Sequence, residues 1–163
     1  MDPRLTLLAE TLRLNTRLYR NCLADLSDDL AAVRPSGRGP TNSALFLAAH
    51  LVDSRYWLLN LLGDKQASPL KGAEGGFNDI DKVSSYPSLS EIQTAWTSVG
   101  AALDRQLKSV GTAELEAPLD PGFPLESKTV LGVTAFMVQH ESYHLGQLGL
   151  LRKHAGLEAM AYS

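Results

Sequence analysis

Two histidines stand four residues apart in His140-Glu141-Ser142-Tyr143-His144, inside the last long apolar segment of the chain. On a helix, residues at that spacing lie one turn above each other on one face, and two imidazoles so placed can grip one metal ion. A 3.6-residue repeat puts Thr129, Val133, Phe136, Met137, His144, Gln147 and Leu151 within about 60° of His140. The histidines therefore interrupt a core stripe, where each ring nitrogen needs a partner, and a shared metal would satisfy two nitrogens at once. Two core histidines hydrogen-bonded to neighbouring side chains would show the same spacing, so the metal reading requires other ligands.

The chain holds four histidines. His154 follows His144 by ten residues, roughly 15 Å along a straight helix, and cannot share its ion. Beside Lys153 and Gly156 it suits the negative end of a helix dipole. His50 is different. It falls in Ala44-Leu45-Phe46-Leu47-Ala48-Ala49-His50-Leu51-Val52, where an imidazole without a partner is costly. If its helix lies beside the last one, His50, His140 and His144 complete a three-nitrogen site with a position open for water or substrate, as catalytic zinc sites have.

Softer candidates surround these three. Glu141 sits about 100° around the helix from His140; it can serve as base to a bound water or pair with a cation on the flank. Asp53 shares a face with His50 and can orient an imidazole or pair elsewhere. Gln147, one turn beyond His144, can hydrogen-bond a ligand histidine or the substrate. Tyr19, Phe46, Trp57 and Tyr143 can line a pocket or be plain core. Cys22 reads as a buried small hydrophobe.

The elements that must position these residues are four long helices. Leu5, Leu8, Leu12, Asn15, Tyr19, Cys22, Leu26 and Leu30 recur at spacings of three and four, which predicts one helix from Pro3 to about Ala32. Arg34-Pro35-Ser36-Gly37-Arg38-Gly39-Pro40 makes a tight connection, and Thr41 or Asn42 caps a second helix running through Leu62. Residues 64–87 carry Pro69, Gly72, Gly75, Gly76 and Pro87 without a sustained period, a long connection with room for a short helical turn. Ser88 with Glu91 reads as a capping box opening a third helix that ends at Gly111. A second connection, Thr112 to Lys128, holds Pro118, Pro121 and Pro124, with a β-turn or hairpin at Gly122-Phe123. Thr129 caps the fourth helix, which stops at Gly156. The expected fold is all-α: a single domain over residues 1–163, a four-helix bundle whose two long connections favour a crossover topology.

Composition agrees. A chain of 163 residues, 44% hydrophobic and 20% charged, is one ordinary globular domain. A net charge of −3 with scattered Lys and Arg gives no footprint for nucleic acid or an anionic membrane. Cys22 is the only cysteine, so neither an intrachain disulfide nor a thiolate cluster forms, as suits a reducing cytoplasm. No segment has the length of a membrane span or the unbroken apolar run of a signal peptide.

His50 on the second helix, followed about 90 residues later by His140-x-x-x-His144 and then Gly146-Gln147, resembles the DinB-like (DinB/YfiT) superfamily over nearly the whole chain. The resemblance implies a divalent metal, zinc, nickel or iron, on His50, His140 and His144, a crossover bundle, and frequent homodimers. Members range from thiol-dependent transferases and a mycothiol-dependent isomerase to many proteins described only as metal-dependent hydrolases. A small-molecule substrate, in some members a low-molecular-weight thiol, comes with that resemblance.

The same letters spell H-E-x-x-H, the helix of zinc peptidases, with Glu141 as base. That fold needs a third ligand downstream, and Gln147 and Leu150 occupy the places where the extended motif has Gly and His. Glu158 is the only acid after His144, with five residues beyond it, too few for a substrate-cleft subdomain. The expectation is therefore Lewis-acid chemistry on a tri-histidine site, hydrolysis or thiol transfer. The alternatives are a bundle that binds metal without catalysis, in storage, interaction or a stress response, and, further off, the peptidase.

Overall fold

The computed structural model describes residues 1–35 and 41–162. Much of the expected tight connection, from Ser36 to Pro40, lies outside them. The helices are α1 (Leu5–Leu23), α2 (Asp28–Ala32), α3 (Ala44–Leu61), α4 (Leu89–Ser109), α5 (Thr112–Glu116) and α6 (Val130–His154), with a 3-10 turn at Ile80–Lys82. No strand forms among the described residues, and none of the helices is long and apolar enough to cross a membrane.

Three of the expected helices hold, one of them with its start moved, and the first breaks in two. Ser88 and Glu91 make the reciprocal capping box, and the Thr129 hydroxyl accepts from Gly132 N at 3.1 Å. On α3 the cap is Ser43, whose hydroxyl accepts from Phe46 N, rather than Thr41 or Asn42. The first helix stops at Leu23 because Asp25 adopts φ +62°, a left-handed conformation that Asp tolerates better than most residues. Ser27 then caps α2, with Asp28 and Asp29 in its first turn. Periodicity missed the break because Leu26 and Leu30 keep step with the preceding stripe; Leu30 in fact faces outward, 42% exposed.

Each of α1 and α3 packs against both α4 and α6, so α1 and α3 are diagonal partners. Cross-helix bonds give the directions. Tyr19 reaches Ala48 O while Arg55 reaches Leu12 O, so α1 and α3 are antiparallel. Asn15 meets Ser142, and Arg152 reaches back to Ala24 O, so α1 and α6 are parallel. Arg13 pairs with Asp104 and Arg20 with Thr97, making α4 antiparallel to α1. Consequently α3 and α4 are parallel neighbours, and residues 62–88 must travel the length of the bundle between them. That connection is a true crossover. The second one only spans an end, because α4 and α6 are antiparallel; it holds α5 and a narrow antiparallel pairing in which Leu119 N donates to Lys128 O and Val130 N to Ala117 O.

The crossover has no periodicity but is pinned. Phe77 is 1% exposed, and its N–H donates to Asp53 on α3 at 2.8 Å. Gly76 takes φ +90°, and a Cβ there would come within 2.9 Å of the Asp53 carboxylate oxygen that holds Phe77, so a side chain at this position would be strained and would push on the tether.

Candidate metal centre

The middle of α3 brings His50 against His140 and His144 on α6. His140 Nε2 lies 3.3 Å from His50 Nε2 and 3.0 Å from His144 Nε2, and one ligand atom from each ring falls within 4.8 Å of the other two. Two nitrogens bound at about 2.0–2.1 Å to a tetrahedral ion stand about 3.3 Å apart. The separations suit a shared cation.

The outer nitrogens fix the tautomers. His50 Nδ1 is 2.7 Å from Phe77 O, a carbonyl that can only accept, so the proton sits on Nδ1 and Nε2 presents a lone pair. His144 Nδ1 is likewise 2.6 Å from Gln147 Oε1. The Gln147 amide is held in that orientation by donating to the Tyr143 hydroxyl at 3.2 Å. His140 has no such support: among the described residues its buried Nδ1 has no hydrogen-bond partner. A proton on His140 Nε2 can bridge to only one of the two facing nitrogens and leaves Nδ1 an unsatisfied acceptor. Moved to Nδ1, it leaves three lone pairs facing one another. A divalent cation resolves the convergence, so the donor set fits a metal.

Electrostatics favour the ligating state. Burial pushes the pKa of all three rings down; on His140 the neighbouring His144 and His50 add to it and bring the value to about 4. Hydrogen bonds from His50 to Phe77 and from His144 to Gln147 work weakly the other way. The rings are neutral at pH 7, as metal binding requires.

Of the softer candidates, Asp53 acts on His50 through the backbone. Its carboxylate accepts from Ser68 Oγ at 2.5 Å and from Phe77 N, and the carbonyl of that same Phe77 receives the His50 proton. Trp57, 41% exposed, and Phe136 line a cavity of about 650 Å³ that opens onto His50 and His140. Tyr143 is exposed on the far side of His144, its ring edge-on at 5.2 Å.

Two expectations receive different places. Tyr19 does not line the cavity: it is fully buried, stacked at 3.9 Å on Trp96, because its hydroxyl finds Ala48 O inside the bundle. Of the two roles expected for Glu141, its geometry is that of pairing with a cation, but in the core and away from the cavity: both oxygens accept from Arg55, at 2.7 and 2.8 Å. Arg55 escaped the sequence reading altogether. Its signal was a cation in the apolar run of α3, which needs a buried counter-charge. Phe77 and Phe123 were also missed as site residues, since both sit on connections without periodicity.

A helical bundle carrying a three-histidine cluster between two of its helices is therefore the class of protein defined here. The DinB superfamily model matches residues 11–148, and the chain belongs to that superfamily. The crystal structure of a conserved protein from Enterococcus faecalis shares the fold, with a TM-score of 0.72 at 14% identity over 91% of this chain and 95% of that one. No curated protein matches the chain.

Proposed function

We propose that this protein binds one divalent metal ion, zinc, nickel or iron, through His50, His140 and His144, and uses it on a small molecule entering the cavity beside α3. The observation that carries the reading is the meeting of three imidazole nitrogens, two of them with tautomers fixed from behind so that their lone pairs face the third ring. When bound, such an ion supplies Lewis-acid chemistry, lowering the pKa of a coordinated water or thiol. The chain's own part is to hold His50 through Phe77 and Asp53, to hold His144 through Gln147, and to shield the cluster with Phe136.

Among the cavity-lining residues the only carboxylate is Asp53, already committed to Ser68 and Phe77. With Glu141 bound to Arg55, no free carboxylate among the described lining residues stands ready as general base. This favours thiol transfer over hydrolysis, since a thiol lies closer to neutral pKa than water and needs less help to ionise. It weighs against the peptidase, which requires Glu141 free. The same shortage supports the second reading, a bundle that binds metal without catalysis. A homodimer is part of the proposal, supported by exposed Tyr143 and Leu150 on one stretch of α6.

Elemental analysis of purified protein tests the centre: about one equivalent of metal in the wild type, lost in His144→Ala, is the expected result. Metal-free, equally stable wild-type protein would overturn it. Screening the loaded protein with esters, amides and thiol acceptors separates the two chemistries, and no turnover of any leaves the non-catalytic reading.

A further inference from the structure

His50 belongs to two assemblies at once. Its Nε2 faces His140, 3.3 Å away, and its Nδ1 donates to the carbonyl of Phe77 at 2.7 Å. Phe77 lies in the crossover, the stretch 62–88 between α3 and α4, and is 1% exposed. Its N–H donates to Asp53 at 2.8 Å, and the other Asp53 oxygen accepts from Ser68 Oγ. Two residues of α3 one turn apart therefore hold both main-chain groups of a single crossover residue, and one of the two is a candidate metal ligand.

Much of the remaining hydrogen bonding of the crossover is internal. Gly72 O accepts from Ser84 N at 2.8 Å and from Ser85 N at 3.2 Å, and Asn60 at the end of α3 binds the backbone of Gln66. A segment with so little regular structure opens at a lower free energy than the helices beside it. Ser68, Gly76 and Asn78 also line the cavity, so the same stretch is one of its walls.

The single proton of the His50 ring links the two assemblies. A neutral imidazole carries it on one nitrogen only. On Nδ1 it holds Phe77 O; on Nε2 it would point at His140 and leave two acceptors, Nδ1 and the carbonyl, face to face. With the His140 proton on its own Nδ1, the second arrangement replaces a contact between lone pairs by a hydrogen bond, so without a cation it competes with the first. A divalent ion on His50 Nε2 ends the competition. The proton is then confined to Nδ1, and the electron density drawn from the ring makes that N–H a stronger donor to Phe77.

We propose that the crossover is a strap whose seating is coupled to the metal: an ion on His50, His140 and His144 locks Phe77 and the cavity wall in place, and the seated strap in turn tightens the ion. The inference rests on the metal-centre reading. The coupling is reciprocal, because a free-energy link between two events acts equally on both. The wall that a substrate meets is then firm only in the loaded protein.

The Phe77 amide proton is the reporter, since Asp53 accepts it. Its hydrogen exchange is to be followed by NMR in the full chain, metal-free and zinc-loaded. Leu119, whose N–H donates to Lys128 O in the other connection, is the control. Zinc should slow exchange at Phe77 at least about tenfold, the scale of hydrogen bonds behind metal-bound histidines, and leave Leu119 unchanged. No slowing at Phe77, or equal slowing at both, overturns the coupling. The reverse arm perturbs the strap away from the ligands. Gly72 takes φ +120° and does not line the cavity, and a Cβ there would clash with the Ser85 carbonyl oxygen, so Gly72→Ala forces the internal closure apart. Zinc affinity, from competition with a chelator, should fall severalfold with the stoichiometry kept. Unchanged affinity alongside faster exchange at Phe77 overturns the proposal. Where the variant does not fold, or leaves Phe77 exchange as it was, the wild-type comparison decides. A wild type that takes up no zinc overturns the metal-centre reading and this inference with it, whereas zinc taken up without slowing at Phe77 overturns the inference alone.

Discussion

Two polar residues of helix α3 five positions apart, His50 and Arg55, each meet a polar partner on α6. The two clusters differ in how completely they are satisfied. Arg55 is 2% exposed and touches all four long helices. It donates to both Glu141 oxygens on α6 and to Thr16 Oγ1 and Leu12 O on α1, and its guanidinium lies 3.5 Å over the Trp96 ring on α4. Every nitrogen of the guanidinium and both carboxylate oxygens have a partner inside the protein. Around His50, three half-buried nitrogens converge with at most the single proton of His140 to share among them, and among the described residues His140 Nδ1 has no hydrogen-bond partner. A saturated buried network holds helices in register. An unsaturated one, open to a cavity, is where a ligand belongs.

Breaking the saturated cluster should have the largest effect. Glu141→Ala strands the Arg55 charge in the core and should lower the free energy of unfolding by about 3–5 kcal/mol, read from urea denaturation of metal-free protein. A loss below about 1 kcal/mol would mean that Arg55 reaches water and that the contrast is false.

Removing a ring from the other cluster should do the reverse. His144→Ala is expected to abolish metal uptake, with the metal-free protein losing no more than about 1 kcal/mol. Equal destabilisation by both substitutions would erase the distinction between a structural cluster and a binding one.

Asp53→Ala sharpens the comparison by loosening a support rather than a ligand. Metal affinity should fall about tenfold, in line with the loss of other hydrogen-bond partners behind metal-bound histidines, with the stoichiometry kept. Unchanged affinity in a competition titration with a chelator would show that Phe77 holds His50 unaided.

A change of pH tests the unsaturated cluster without any substitution. Folded pKa values below the unfolded value mean that the unfolded chain binds more protons between them, so stability falls as pH drops. For the metal-free protein the loss should begin near the ordinary histidine pKa of about 6.5 and continue toward the His140 value of about 4. Bound metal should be released over the same descent. In the variant His140→Ala the slope of stability against pH over that window should flatten; a slope matching the wild type would assign the loss to the carboxylates.

What the chain alone determined is the set of elements and three of their residues. Heptad-like spacing, the Ser88 and Thr129 caps and the proline-rich connections specify long helices, because these signals act within a few residues of one another. His140 and His144 share a face by helical geometry, and His50 stood out as a costly group in an apolar run. What only tertiary structure decided is what each polar side chain meets. The break at Asp25, the Arg55–Glu141 pair, the burial of Tyr19 and the Phe77 link from Asp53 to His50 all depend on contacts between segments far apart in sequence. Periodicity places a residue on a face of its own helix, and only the packing of the bundle says which neighbour that face is turned toward.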